Sequence, residues 1–430
     1  MRIRAGSDAR AMWPVLAIFA VTYVLIAARR LSAIPIGRPA GALLGAVAMV
    51  ALGALLPPSG LTPGEAFAAV EPNTIGLLLG MMLLSAALDE AGIFERAAAW
   101  VLDRRLSPTA LLYAVTLGAG IASAVLVNDS VCVMLTPLVD RTARRAGLAR
   151  APYLLALAMG ANAGSALTLA GNPQNMLVAH LSGISYRAYL VEAGPAALLA
   201  LGITAVTLHV VLRRRLAQAA PPLEVPAEPE PPPPPASRPP AAVAPLLCLV
   251  VVSILFVLGG NLAWTALGGA TAAMLLRNRD ARGLFDRVAW TVLVFFAALF
   301  IVVAALQKTG LPDQALRAVG SSLPAGPAAG LAGLALVLSV ACQIVSNVPV
   351  ILLLEPWIRT LPDARVAWIT TALISTLAGN LTLLGSIANI IVVETAGAQR
   401  EIGFRAYLRV GVPVTLASSI GALGWLLLTR

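Results

Sequence analysis

Ala161-Asn-Ala-Gly-Ser-Ala-Leu-Thr-Leu-Ala-Gly-Asn-Pro-Gln-Asn-Met176 returns, altered but in register, as Ser375-Thr-Leu-Ala-Gly-Asn-Leu-Thr-Leu-Leu-Gly-Ser-Ile-Ala-Asn-Ile390. Thr168 falls on Thr382, Gly171 on Gly385 and Asn175 on Asn389. Each copy sits in a long apolar segment, yet carries Gly, Asn and hydroxyl residues where a plain spanning helix would carry Leu. Irregular, polar backbone at membrane depth is tolerated only where it faces protein or a wet cavity. At matching places in two halves of a chain, it marks a transporter's binding site. Gly160, Gly164, Gly171 and Pro173 are expected to break the first copy into two half-helices, because Pro removes a backbone donor and clashes with the preceding turn.

The surroundings of the pair are those of a polytopic membrane protein. The 430 residues are 59% hydrophobic and 12% charged, which excludes an ordinary soluble domain. Apolar runs of the length that crosses a ~30 Å hydrocarbon core recur throughout. The formal net charge of +10 does not indicate nucleic-acid binding, because the arginines cluster in short loops between apolar runs, where they set topology. Cys132, Cys248 and Cys342 stand singly, so neither a disulfide framework nor a zinc site is expected. His180 and His209 have no metal-spaced companion. Arg29 and Arg30 directly follow the first apolar run, and no cleavage site is evident, so that run reads as an uncleaved span.

In chain order, spans are expected at Met12–Ala28, Ala40–Leu56 and Asn73–Leu88, followed by an amphipathic connection. Ala110–Val127 then runs into Asn128-Asp129-Ser130 and the short apolar leg Val131–Val139. Nine residues of helix reach only about 13 Å, so this pair reads as a re-entrant hairpin with Asn-Asp-Ser near its tip. After the first copy of the repeated stretch comes a span at Leu190–Leu212. Eleven of the twenty residues 221–240 are Pro, which is linker composition.

The second half echoes the first. Asn128 pairs with Asn347 at a separation of 219, Tyr189 with Tyr407 at 218 and Gly171 with Gly385 at 214, an internal duplication. The expected fold is all-α: two inverted repeats, each of about five spanning helices plus a re-entrant hairpin and a broken helix. Residues 1–212 form the first transmembrane repeat, 213–243 a Pro-rich cytoplasmic linker and 244–430 the second repeat. With an odd number of spans per repeat, loops 29–38, 96–105, 141–150, 213–238, 277–287 and 400–409 share one side. They hold most of the 30 basic residues, so that side is the cytoplasm and the location the cell (inner) membrane.

Asn128-Asp129-Ser130 running into Leu135-Thr136-Pro137 resembles the Asn-Asp hairpin of arsenite-efflux permeases and related antiporters. The stretches 161–165 with 171–175, and 378–386 with Asn389, are similar to motifs of plant silicon-efflux transporters and bacterial anion permeases. All belong to the ion transporter superfamily, which also holds citrate and dicarboxylate carriers. The second hairpin's Ser346-Asn347-Val348 lacks the third hydroxyl of the Ser-Asn-Thr signature of sodium-coupled dicarboxylate carriers, and the first has Asp129 in its middle position.

The resemblance implies two hairpin tips and two broken helices around a midplane cavity. Half-helix N-termini suit an anion or polar oxyacid, and freed carbonyls with Asn and Ser oxygens suit Na⁺ or a protonated group. The candidate binding residues are Asn128, Asp129, Ser130, Asn172, Asn175, Ser346, Asn347, Asn380, Thr382, Ser386 and Asn389, with Na⁺ considered at the hairpin tips. Low dielectric disfavours the charged form of any carboxyl group, and an intramembrane carboxylate is functional by default. Asp129 is therefore the candidate proton carrier.

The leading reading is a secondary transporter of a small oxyanion or oxyacid such as arsenite or silicic acid, coupled to H⁺ or Na⁺ by alternating access. A cation/proton antiporter and a citrate or dicarboxylate carrier are the alternatives. An intramembrane enzyme is remote, because no H-E-x-x-H, G-x-S-x-G or paired intramembrane aspartates occur. No cofactor and no nucleic-acid partner are expected. The partner classes left open are a homodimer and a separate soluble ATPase subunit.

Overall fold

A computed structural model describes residues 7–27, 37–57, 59–216, 239–277, 280–322 and 326–429. The described residues are all-α, without a strand. The first ten helices are α1 Ser7–Ala27, α2 Arg38–Leu55, α3 Pro63–Ala69, α4 Pro72–Glu90, α5 Ile93–Asp103, α6 Pro108–Val125, α7 Asn128–Arg145, α8 Ala151–Ser165, α9 Pro173–Ser182 and α10 Tyr186–Leu216. Ten more follow: α11 Pro239–Val257, α12 Leu262–Arg277, α13 Arg282–Phe285, α14 Trp290–Lys308, α15 Leu311–Ser322, α16 Pro327–Ile344, α17 Asn347–Ile358, α18 Ala364–Ala378, α19 Ile387–Thr395 and α20 Phe404–Leu428. The order repeats element for element, down to a short helix (α3, α13) in the same place. Six of these helices (α2, α4, α6, α10, α14 and α20) are long and apolar enough to cross a membrane.

Two details of the sequence reading change. The second leg of the first hairpin is α7, which runs 18 residues to Arg145 instead of nine to Val139, so at about 27 Å its length no longer argues for re-entrance. Its apolar stretch ends at Asp140, but the helix continues, carried by the i,i+4 ion pair of Asp140 with Arg144 at 2.8 Å. The turn itself is Leu126-Val127, so Asn128 and Asp129 open α7 from its first turn. Gly160 and Gly164 do not break the first repeated stretch; both lie inside α8, and the break is residues 166–172, with Pro173 opening α9. Pro suits the first helical turn because its missing N–H would have no intrahelical partner there. The Pro-rich segment falls largely on residues 217–238, outside the described residues.

The chain clusters into two compact units. One gathers Met1–Ile75, Ala289–Gly333 and Val348–Ala364. In it α14 buries Phe295, Phe296 and Phe300. Lys308 at the end of α14 pairs with Glu65 of α3 at 2.8 Å, and Gln307 donates to the Leu352 carbonyl of α17 at 2.7 Å. Glu65 also closes a capping box with Thr62, and these bonds together pull its carboxyl down to about 2.

The other unit comprises Gly76–Val288, Leu334–Asn347 and Arg365–Arg430. Its centre is α8, buried along its whole length. A Cβ on Gly164 would lie 2.1 Å from the Gly120 carbonyl oxygen of α6, and one on Gly160 would lie 2.4 Å from that of Thr116. The Gly-x-x-x-Gly spacing thus brings two backbones together, the packing that membrane helices use where hydrophobic burial gives no drive. Around this centre α10 packs on α20, its counterpart in the duplication.

Candidate functional site

The second unit brings the first hairpin tip, both broken helices and the end of α16 into one polar cluster. Its hub is the Asn162 side chain, on α8 and 2% exposed. Its Oδ1 accepts from Asn128 Nδ2 and Ser386 Oγ, each at 3.0 Å. Its Nδ2 donates to Asn380 Oδ1 at 3.0 Å and to Asn389 Oδ1 at 2.9 Å. One amide thereby ties α7 to both the break and the second half-helix of the other repeat.

Thr376, the residue equivalent to Asn162, does the reciprocal job. Its hydroxyl accepts from Asn172 Nδ2 at 3.2 Å and donates to Asn175 Oδ1 at 3.2 Å. Asn172 is the counterpart of Ser386, and Asn175 of Asn389. Residue i of one repeat therefore meets residue j of the other, and their equivalents meet in exchange, the signature of an isologous two-fold contact.

Each break is also braced from within. Asn175 Nδ2 donates to the carbonyls of Thr168 at 2.9 Å and Ser165 at 3.4 Å; Asn389 Nδ2 donates to those of Thr382 at 3.1 Å and Gly379 at 2.7 Å. These are the carbonyls that an unwound segment leaves without helical donors. Asn172 caps α9 by accepting from the Asn175 N–H at 2.8 Å, whereas Ser386 at the start of α19 gives its hydroxyl to Asn162 instead. The hairpins are moored to the breaks as well. The Asn128 N–H donates to the Gly171 carbonyl at 3.0 Å and Thr168 Oγ1 to the Ala124 carbonyl at 2.6 Å. In the second repeat Thr382 Oγ1 reaches Gln343 Oε1 at 2.9 Å, and Gln343 Nε2 reaches the Ala378 carbonyl at 2.9 Å.

Among the groups here that are not spent on the scaffold, three lie on the hairpin tips. Asn128 Oδ1 and Asn347 Oδ1 are buried without a hydrogen-bond partner among the described residues. These are equivalent residues of the two hairpins, so the duplication has produced two matched orphan acceptors. Asn347 approaches the second break, since a Cβ on Gly379 would lie 3.6 Å from its Nδ2 and 3.3 Å from Ser386 Cβ. The third is Asp129, 5% exposed, in the first turn of α7 where the helix dipole is positive. Among the described residues its carboxylate has no hydrogen-bond or ion-pair partner. A buried polar group left so is costly unless something else satisfies it.

Of the residues singled out from sequence, Asn128, Asn172, Asn175, Asn380, Thr382, Ser386 and Asn389 join the bonded cluster, and Asn347 lies beside it. Ser130 is half-buried on α7, and no contact brings it into the cluster. Ser346 precedes α17 with φ +77°. The sequence reading did not single out Asn162, Ser165, Gln343 or Thr376 as site residues. The available signal was register: Asn162 and Thr376 align within the duplicated stretch, as polar residues inside otherwise apolar helix.

The family whose sequence pattern matches residues 23–378 is CitMHS, described as citrate transporter. The silicon efflux transporter LSI3 of Oryza sativa subsp. japonica is 31% identical, with 93% of this chain and 94% of that protein covered. The putative transporter arsB of Dictyostelium discoideum is 24% identical over 89% of this chain and 86% of its own length. Among solved structures, the YdaH transporter of Alcanivorax borkumensis shares the fold, with a TM-score of 0.56 at 15% identity over 97% of both chains. With six described helices able to cross a bilayer, this is a multi-pass membrane protein, and the chain belongs to the citrate transporter family.

Proposed function

We propose that the chain is a secondary transporter of the cell membrane that moves a small oxyanion or neutral oxyacid of the arsenite or silicic acid type. It works by alternating access, coupled to H⁺ or Na⁺. The observation that carries this reading is the matched pair of orphan acceptors, Asn128 Oδ1 and Asn347 Oδ1, beside two helix breaks. An acceptor oxygen wants a hydroxyl or a cation, and an oxyacid supplies O–H groups to it. The N-termini of α7, α9 and α19 supply the positive dipole ends that suit the oxygens of the same solute. The similarity to a silicon efflux transporter points to the same solute class. Asp129 is the coupling group in this reading, because a carboxyl group without a protein partner is the one that can exchange a proton with each cycle.

The partnerless carboxylate also favours a second reading, a cation/proton antiporter in which Asp129 alone holds the ion. One experiment separates the two. The purified chain in proteoliposomes is offered arsenite, silicic acid, citrate, succinate, sulfate or Na⁺ under an imposed pH or Na⁺ gradient. Accumulation of an oxyacid is expected. Movement of Na⁺ alone, with no oxyacid or anion carried in either direction, would replace the first reading with the second.

A further inference from the structure

Between the first hairpin and α5 lies a cavity of about 290 Å³. It is walled by α5 (Ala97, Val101), α6 (Leu111 to Ala122) and α7 (Leu135 to Thr142), and Tyr153 of α8 also lines it. The Tyr153 hydroxyl donates to the Pro108 carbonyl at 3.2 Å, so its polar tip is engaged away from the space. Apolar voids of ~150 Å³ stay dry and take an apolar guest such as benzene; this one is larger and lies in a membrane protein, with acyl chains for neighbours.

Length and charge identify the guest. From Leu111 to Ala122 the groove follows twelve residues of α6, about 16 Å from first to last at helical rise. One leaflet of a ~30 Å hydrocarbon core is about 15 Å deep. The end marked by Leu111, Thr142 and Tyr153 is the arginine-rich end of the hairpin. Arg104 and Arg105 follow α5, Arg141 precedes Thr142, and all three are exposed. Arg104 lies over the Trp100 ring, 4.4 Å from its centroid, and Trp100 is itself exposed. An amphipathic helix with one face on an apolar slot and Trp and Arg at its edge is built for the headgroup boundary. Nearby acidic groups do not cancel this charge: Asp140 is held by Arg144 and Arg150, leaving Asp103.

We propose that this groove is a lipid site, taking one acyl chain of an anionic phospholipid whose headgroup phosphate sits at Arg104, Arg105 and Arg141. The site is separate from the candidate transport cluster and does not depend on the solute assigned above.

The test uses the full chain in vesicles holding phosphatidylglycerol with a photoreactive diazirine on one acyl chain, or phosphatidylcholine with the same chain. Adducts mapped after illumination are expected to concentrate on residues 97–101, 111–122 and 135–142. Phosphatidylglycerol should exceed phosphatidylcholine there by about fivefold for each arginine engaged. Gly118 lines the groove, and a Cβ there meets nothing within 4 Å. Gly118→Leu therefore fills the groove and should abolish those adducts while thermal stability is kept; Ala114→Leu, on the same wall, serves if that variant is not recovered. Arg104→Gln with Arg105→Gln should cut the headgroup preference to the about fivefold that Arg141 alone supplies, and leave the chain adducts. Adducts spread over all the lipid-facing helices and indifferent to Gly118→Leu would overturn the site. Equal labelling by both lipids, even if Gly118→Leu blocks it, would overturn the anionic assignment.

Discussion

The two hairpin tips are equivalent in the duplication and differ where it matters. In the first, Val127 leads into α7 from ordinary extended backbone, φ −71°, and Asn128-Asp129 follow. In the second, Ser346 leads into α17 at φ +77°, in the left-handed region, and Asn347-Val348 follow. Asn128 reaches a full amide, Asn162, whereas Asn347 faces a repeat in which that position is the shorter Thr376. The scaffold bonds are reciprocal, but the ionisable group exists on one side only. A duplicated site needs symmetry in what holds it together, and a coupling group in a single copy makes the two half-sites chemically distinct.

The largest effect expected from breaking this comparison is on packing. Gly164 aligns with Ala378; a Cβ on Gly164 would lie 2.1 Å from the Gly120 carbonyl oxygen, whereas position 378 already carries one. Gly164→Leu should cost ~3 kcal/mol or more and yield little folded protein by size-exclusion chromatography, whereas Ala378→Gly should be recovered normally. Comparable recovery of the two would mean that α6 and α8 do not approach as closely as described.

Next comes the hub. Asn162→Ala strands Asn128 Nδ2 and the Ser386 hydroxyl and removes a donor from Asn380 and Asn389. A loss of about 2 kcal/mol is expected, between the ~1–3 for each orphaned group and the ~0.6 typical of intramembrane hydrogen bonds. Thr376→Val removes longer bonds, at 3.2 to 3.4 Å, and should cost about half as much. Denaturant unfolding in detergent ranks them. The reverse order would show that the reciprocal contacts are not centred on Asn162.

Asp129→Asn leaves size and hydrogen-bonding capacity but ends titration. With Asp129 as the proposed proton carrier, accumulation against a gradient should fall to background, while exchange of labelled for unlabelled solute continues. Gradient-driven accumulation by a well-folded Asp129→Asn protein would strip the asymmetry of its coupling role.

The smallest effect concerns Ser346. A left-handed non-glycine residue stores roughly 1–2 kcal/mol of backbone strain, so Ser346→Gly should raise the unfolding midpoint by an equivalent of about 1 kcal/mol. Val127→Gly, on unstrained backbone, should lower it. If both variants lose stability, the two tips do not differ in strain.

Much of this architecture was legible in the residues, and the misses have physical causes. Long apolar runs mark helices wherever backbone groups must bond within a segment. A nearly constant offset of 214 to 219 between matching residues exposes a duplication without any structure. The length of α7 was not legible, because hydropathy reports where a helix is apolar and not where its hydrogen bonding stops. Asp140 and Arg144 ended the apolar pattern while supporting the helix. Gly160 and Gly164 were grouped with Gly171 and Pro173 as a break; in the fold they are contact points for α6.

The sequence by itself determined the class of molecule, the two polar interruptions and the polar residues around them, since all three follow from local composition and register. Only the tertiary structure decided which polar atoms meet. Asn162 and Asn389 are 227 residues apart, and Asn172 and Thr376 are 204 apart. Side-chain pairing at such distances depends on how helices pack, which no local pattern encodes. The same packing decided which oxygens were left over: Asn128 Oδ1 and Asn347 Oδ1 are buried without a hydrogen-bond partner among the described residues.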